Sequence, residues 1–144
     1  MDISIVVPAY NEEESLPELI KKVSQVLHRL DKSHEIIIVD DGSNDKTLAV
    51  SKSLRQEYPV LKIISFRKNY GKSAALSEAF KMAAGDYVIT MDADLQDDPE
   101  EIPNLIAGLD SGEFDLISGW KKKRHDPISK TIPSKFFNFV TSRI

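Results

Sequence analysis

An α/β fold, with a mostly parallel sheet covered by helices on both faces, is what this sequence predicts, and three observations predict it. Short apolar, β-branched runs alternate with longer segments of helical period, the pattern of βαβ units. The short runs are nearly continuous in apolar character, as in strands buried on both faces. The chain has 144 residues, 41% of them hydrophobic, which is enough for one core and one compact unit.

The predicted strands are Ile3 to Val7, Glu35 to Val39, Leu61 to Phe66, Asp86 to Met91 and Phe114 to Ser118. Between the first two, Leu16, Leu19, Ile20, Val23, Leu27 and Leu30 recur at three- and four-residue spacing and form one apolar stripe of a helix. Asp45 or Ser43 is placed to cap the next helix. A third helix is expected over Lys72 to Ala84, rich in Ala, Leu and Met, with Gly85 as a left-handed stop. Asp98 and Pro99 read as the cap and first turn of a fourth. Pro103 would remove a hydrogen bond one turn inside that helix, so its regular part is expected to begin near Glu101 or Ile102.

Composition excludes several classes of function. A net charge of -4 with 29% charged residues is not the basic balance of a nucleic-acid binder, so no nucleic-acid partner is expected. The absence of cysteine excludes a disulfide framework, a thiolate zinc site and thiol redox chemistry, and suits a cytosolic compartment. Met1 leads directly into a short apolar run followed by acidic residues, which is neither a signal peptide nor a membrane span. No glycine-rich G-x-G-x-x-G or Walker pattern occurs, against a dinucleotide dehydrogenase or a P-loop NTPase. His28, His34 and His125 are scattered and read as surface residues.

Residues 1–120 form the expected core, and the character of the chain changes beyond it. Lys121, Lys122, Lys123, Arg124 and His125 precede Ile128, Ile132, Phe136, Phe137, Phe139 and Val140. Residues 121–144 therefore read as a basic, amphipathic segment suited to a membrane interface. Packing of the same apolar residues on the sheet, or on further chain, is the other reading.

Four loops carry candidate chemistry, each following a predicted strand, where open α/β sheets place their ligands. After the first come Pro8, Ala9, Tyr10, Asn11, Glu12 and Glu13; Tyr10 offers a flat face for a base and Glu12 an acceptor, while a capped turn opening a helix is the plainer alternative. After the second come Asp40, Asp41, Gly42 and Ser43, then Asp45 and Thr47. Adjacent carboxylates are costly to hold without a donor or a cation. Asp41 can meet a base or ribose, and Asp45 and Thr47 read as cap and first-turn residues. After the third strand, Arg67 to Gly71 leads into Lys72 at a predicted helix start, where backbone donors and the positive dipole end favour phosphate. Arg67 and Lys72 are the phosphate candidates, and Lys68 reads as surface charge.

The sharpest signal is Asp92-Ala93-Asp94-Leu95-Gln96-Asp97-Asp98 after the fourth strand. Alternate strand residues face one way, roughly 6.6–7 Å apart, so Asp92 and Asp94 can address one site. Mg2+ prefers one or two carboxylates plus substrate phosphates, and Mn2+ fits the same donors. Such an ion stabilises the charge that gathers on a departing nucleoside diphosphate. Standing alone, Asp-x-Asp reads as a solvated acidic loop or a calcium-binding turn.

Together and in this order, Val7 to Glu13, Val39 to Ser43, Arg67 to Gly71 and Asp92 to Pro99 resemble the family 2 glycosyltransferases, in particular those acting on polyprenyl phosphates. The resemblance runs from Ile3 to about Arg124. It implies a GT-A, Rossmann-like α/β/α sandwich and an inverting, metal-assisted transfer of a sugar from a UDP- or GDP-sugar to polyprenyl phosphate. It places Pro8, Ala9, Tyr10, Glu12, Val39 and Asp41 around the nucleotide, and Asp92, Ala93 and Asp94 at its ribose and diphosphate. Asp92, Asp94 and Gln96 are then the Mg2+ or Mn2+ residues, with Gln96 pointing to the polyprenyl-phosphate group. A basic residue two positions after Gly119 commonly contacts phosphate in such enzymes; here it is Lys121, with Arg124 able to share the role. The resemblance also puts the catalytic base and acceptor site beyond Ile144, in a longer protein at the cytoplasmic face of a membrane. A saccharide acceptor, or a non-catalytic nucleotide-sugar-binding module, is the alternative. A nucleotidylyltransferase would carry a glycine- and arginine-rich first loop, which Pro8 to Glu13 is not.

Overall fold

The computed structural model describes residues 1–119. Four parallel strands, β1 (Ile3–Ala9), β2 (His34–Asp40), β3 (Leu61–Ser65) and β4 (Tyr87–Thr90), lie in the order β3-β2-β1-β4. They are connected through α1 (Leu16–Arg29), α2 (Thr47–Glu57) and α3 (Lys72–Met82); a 3-10 turn at Pro99–Glu101 and α4 (Ile102–Asp110) follow β4.

Each central strand is apolar on both faces because each face has its own helical cover. Ile3, Ile5 and Val7 of β1 and Ile36 and Ile38 of β2 pack with Leu16, Leu19, Ile20, Val23 and Leu27 of α1, Leu54 of α2, and Ile102 and Ile106 of α4. Val6, Ile37 and Val39 point the other way, against Ala75 and Ala79 of α3. The result is the α/β/α sandwich expected from the sequence. Burying each of these Leu and Ile side chains stabilises the fold by about 1.5–3 kcal/mol.

The element boundaries differ from expectation in informative ways. α3 stops at Met82, where Ala83 turns extended at φ -60° and ψ 127°. Gly85 is not the left-handed stop that was expected: its requirement is close approach, since a Cβ there would lie 2.5 Å from the Ser4 amide nitrogen. Ser43 does not cap α2. Asp45 does so from one residue outside, with Oδ1 accepting from the Thr47 N–H at 2.9 Å and the Thr47 hydroxyl at 2.6 Å. Asp98 caps the 3-10 turn through the Glu100 N–H at 3.0 Å. Pro103 falls in the first turn of α4, where its missing N–H costs no intrahelical bond.

Phe114–Ser118 is not a strand. It pairs with no neighbour among the described residues, Leu116 is 85% exposed, and Ile117 lies against Gly108 of α4. Apolar, β-branched composition proposes a strand, but only a ladder partner makes one.

At the amino-terminal ends of the strands a carboxylate lies inside the fold. Glu35 is 1% exposed; its Oε1 accepts from the Ser4 hydroxyl at 2.6 Å and the Ala84 N–H at 2.7 Å, and Lys62 Nζ stands 2.6 Å from Oε2. Burial pushes its pKa up, but the bonds from Lys62, Ser4 and Ala84 outweigh burial and hold it below the ordinary 4.5. The Ser4 hydroxyl in turn accepts from the Gly85 N–H at 2.9 Å, so the cluster fastens the α3–β4 turn to β1 and β2.

Candidate functional site

In a parallel sheet every strand ends at the same edge, so the four loops singled out in the sequence emerge side by side. The β1–α1 and β2–α2 loops are stitched together. The Asn11 N–H donates to the Ser43 hydroxyl at 3.0 Å, the Asn44 N–H to the Asn11 side-chain oxygen at 2.8 Å, the Glu12 N–H to the Thr47 hydroxyl at 2.8 Å, and the Lys46 N–H to Glu13 at 2.9 Å. Asn11 adopts φ 56°, a left-handed turn that asparagine tolerates better than most residues. Tyr10 is left 42% exposed with its hydroxyl 3.4 Å from Asn44 Nδ2, and the Glu12 carboxylate accepts from the Ser15 hydroxyl at 2.6 Å.

The Asp40–Asp41 pair is buried and accepts hydrogen bonds from its surroundings. Asp40 takes the Ser43 N–H at 3.1 Å and the Ser65 hydroxyl at 3.2 Å. Asp41, 4% exposed, takes two backbone N–H groups of the β3–α3 loop, Tyr70 and Gly71, both at 2.8 Å. Gly42 stands at φ 68°, and a Cβ there would lie 2.3 Å from the Lys68 carbonyl carbon, so the two loops are in direct backbone contact. The same β3–α3 loop is braced by an edge-on contact of Phe66 with Tyr70, ring centres 5.6 Å apart, and by the Lys68 ammonium 5.1 Å from the Tyr70 ring centre.

The β4 loop leaves the sheet for a local reason. The Met91 N–H donates to the Val6 carbonyl at 2.9 Å, but the next ladder position on β1 is Pro8, which has no N–H to continue the pairing. Past that point Asp92 turns away, its N–H held by Asp97 Oδ2 at 2.8 Å. Asp94 is exposed; Oδ1 accepts from the Gln96 N–H at 3.1 Å across Leu95, which sits at φ 61°. Lys72, the first residue of α3, forms an ion pair with Asp92. Two open hollows adjoin these loops, one lined by Lys22, Gln25 and Leu95 to Glu100, the other by Asn11 to Ser15 with Asp45.

The structure thus brings Asp92 to Lys72, Asp41 to the loop that leads into Lys72, and Tyr10 to the neighbouring loop. The side chains of Val39, Ala9 and Ala93 are buried. Val39 belongs to the α3-side core, and Ala9 and Ala93 to the α1-side core, beneath the loops that follow their strands. Lys121 and Arg124 lie outside the described residues. Sequence reasoning missed Asn11, Asn44 and Thr47 as loop fasteners. Their signal was the density of short polar side chains on two loops at once, which marks mutual bonding as readily as ligand binding.

Among the described residues no three acidic or histidine side chains converge as a metal cage. Asp92, half-buried and paired with Lys72, and the exposed Asp94 are donors of the type that Mg2+ and Mn2+ take together with phosphate oxygens.

Comparison with known proteins agrees with this architecture. Residues 4–143 match Glycosyl transferase family 2, and the chain belongs to that family. It is 41% identical over 143 residues to the undecaprenyl-phosphate 4-deoxy-4-formamido-L-arabinose transferase of Salmonella choleraesuis, a match that covers 98% of this chain and 43% of the relative. The chain therefore spans less than half the length of the curated relatives it matches. Among solved structures it is similar to TarS 1-349 of S. aureus, with TM-score 0.65 and 28% identity over 88% of this chain and 38% of that one. It is also similar to the mannosyltransferase PcManGT of Pyrobaculum calidifontis in complex with GDP-Man and Mn2+, with TM-score 0.62 and 25% identity over 72% and 31%. The glucosyl-3-phosphoglycerate synthase of Mycobacterium tuberculosis, in complex with Mn2+, UDP-Glc and phosphoglyceric acid, gives TM-score 0.61 and 27% identity over 78% and 40%. These are GT-A glycosyltransferases, and the GT-A sandwich is the fold of this chain.

Proposed function

We propose that the chain is the donor-binding unit of an inverting glycosyltransferase that moves a sugar from a UDP- or GDP-sugar to polyprenyl phosphate. The observation that carries this reading is the pairing of Lys72 with Asp92 across two loops, which sets a phosphate-seeking cation beside the acidic loop. The acceptor class rests on 41% identity to an undecaprenyl-phosphate transferase.

In this reading the base lies against the exposed Tyr10, beside the β2–α2 loop, with Pro8 and the buried Ala9, Val39 and Ala93 setting the depth of the site. The diphosphate lies over the start of α3, where Lys72 and the first-turn N–H groups neutralise it. Asp92, Asp94 and Gln96 would hold Mg2+ or Mn2+, which supplies positive charge to the leaving diphosphate. A phosphate oxygen of the acceptor attacks the anomeric carbon from the face opposite the departing nucleotide, and the configuration inverts. Lys121 and Arg124 are proposed to neutralise acceptor phosphate or anionic headgroups at the cytoplasmic membrane face. Among the described residues no helix is long and apolar enough to cross a membrane. Acceptor binding and deprotonation are assigned to the part of the relatives' length that this chain does not span. Residues 1–120 are proposed as the donor unit and 121–144 as the start of the acceptor-side region.

Calorimetric titration with UDP and with GDP, each with and without Mn2+, tests the reading. Mn2+-dependent binding of one nucleotide is expected; no binding of either under any condition overturns the donor site.

A further inference from the structure

Asp41 bonds to a loop other than its own. Its carboxylate is almost wholly buried and both oxygens accept a backbone N–H, Oδ1 from Tyr70 and Oδ2 from Gly71, each at 2.8 Å. Charge-assisted bonds of this kind are about twice as strong as neutral ones. They fall on the two residues immediately before Lys72, whose ammonium pairs with Asp92. One residue along, Gly42 presses its bare Cα on the backbone of Lys68 and Asn69, leaving no space for a side chain. The β2–α2 turn therefore meets the β3–α3 loop at two adjacent points over Lys68–Gly71, directly before α3 begins at Lys72.

We propose that Asp41 is a positioning residue for the diphosphate subsite: it clamps Tyr70 and Gly71 and so holds Lys72 opposite Asp92. This rests on the donor-site reading above and assigns Asp41 a role separate from contact with the base. A nucleotide bound at this edge then meets a phosphate site whose geometry is set from the β2–α2 turn next door. Charge at Asp41 matters to the phosphates through the backbone that it holds.

The test pairs a ligand-free readout with a ligand-dependent one, in the unmodified chain and in Asp41→Asn, Gly42→Ala and Lys72→Ala. Amide exchange followed by NMR should show Tyr70 and Gly71 protected in the unmodified chain. In Asp41→Asn their exchange should rise by about tenfold or more, the size expected for losing charge-assisted bonds, while the Val6 and Ile37 amides of the central strands keep their protection. In titrations, Asp41→Asn should weaken the preferred nucleoside diphosphate by about tenfold and its nucleoside by less than about threefold. Lys72→Ala should give the same selective loss, and the double variant no further loss, as expected of residues acting in one chain of contacts. Gly42→Ala, which leaves the carboxylate intact and displaces the loop from the other side, should reproduce the pattern.

Unchanged exchange at Tyr70 and Gly71 in Asp41→Asn overturns the clamp whether or not any nucleotide binds. Equal losses for nucleoside and diphosphate overturn it too, because Asp41 would then be reading the base directly. If neither nucleotide binds the unmodified chain, the donor-site reading fails, and the proposal, which rests on it, falls with it even where the exchange data show the clamp.

Discussion

Asp40–Asp41 and Asp92–Asp94 both follow a strand of the same parallel sheet, and both read in the sequence as acidic pairs at a ligand edge. The first pair is buried and its four oxygens are turned on Ser43, Ser65, Tyr70 and Gly71. The second lies on a loop that has left the sheet at Pro8, with Asp94 in solvent and Asp92 paired with the lysine that opens α3. A carboxylate enclosed by backbone donors organises its neighbours, whereas one left at the surface keeps acceptor capacity for a cation or a ligand donor. Identical residue types at equivalent strand ends thus divide into builders of the site and presenters of charge.

Substitutions can break that division. Asp94→Ala should reduce Mn2+-dependent nucleotide affinity by about a hundredfold, roughly 2.7 kcal/mol, with little change in Tm; a large fall in Tm would place Asp94 among the builders. Asp40→Ala should do the reverse, costing about 2 kcal/mol of stability in denaturant titration because it strands the Ser43 N–H and the Ser65 hydroxyl.

Glu35 extends the comparison to the opposite end of the sheet. Its pKa is lowered in the folded state, so its contribution is complete above the ordinary 4.5 and is lost as pH falls through the lowered folded value. Glu35→Gln should cost on the order of 1.5 kcal/mol at pH 7, and the difference from the unmodified protein should shrink in acid; a constant difference between pH 7 and pH 3 would refute it. The smallest effect belongs to Arg29→Ala. Arg29 meets Glu100 with both oxygens at 2.6 Å, but both side chains are mostly exposed, so about 0.5 kcal/mol or less is expected from thermal melts in low salt.

Most of the scaffold was legible because burial on both faces writes itself as continuous apolar runs: Ile3–Val7 and Ile36–Val39 are strands for the reason the sequence suggests. The acidic loop was legible for a similar reason, since Asp92 and Asp94 sit just past an apolar run that must end at the sheet's edge. The hydrogen bonds of Asp41 were not, because its partners are backbone N–H groups of Tyr70 and Gly71, which carry no residue-type signature. Glu35 was hidden as well. A glutamate opening a strand looks like a solvent boundary, and only the register placing it beside Ser4, with Lys62 on the adjoining strand, shows it to be interior. Phe114–Ser118 failed in the opposite sense, because strand composition was present and a partner was not.

The strand order β3-β2-β1-β4 also bears on assembly. The crossovers are of similar length, but the β1–β4 ladder joins the strands farthest apart in sequence, pairing Tyr87 with Ile3. Long loop closure is entropically the slowest pairing to form. The loop bearing Asp92 and Asp94 follows that last strand, so in refolding the loops of β1 and β2 are expected to settle before the acidic loop does. Signals from Tyr10 should therefore reach their native values before any that depend on Asp94.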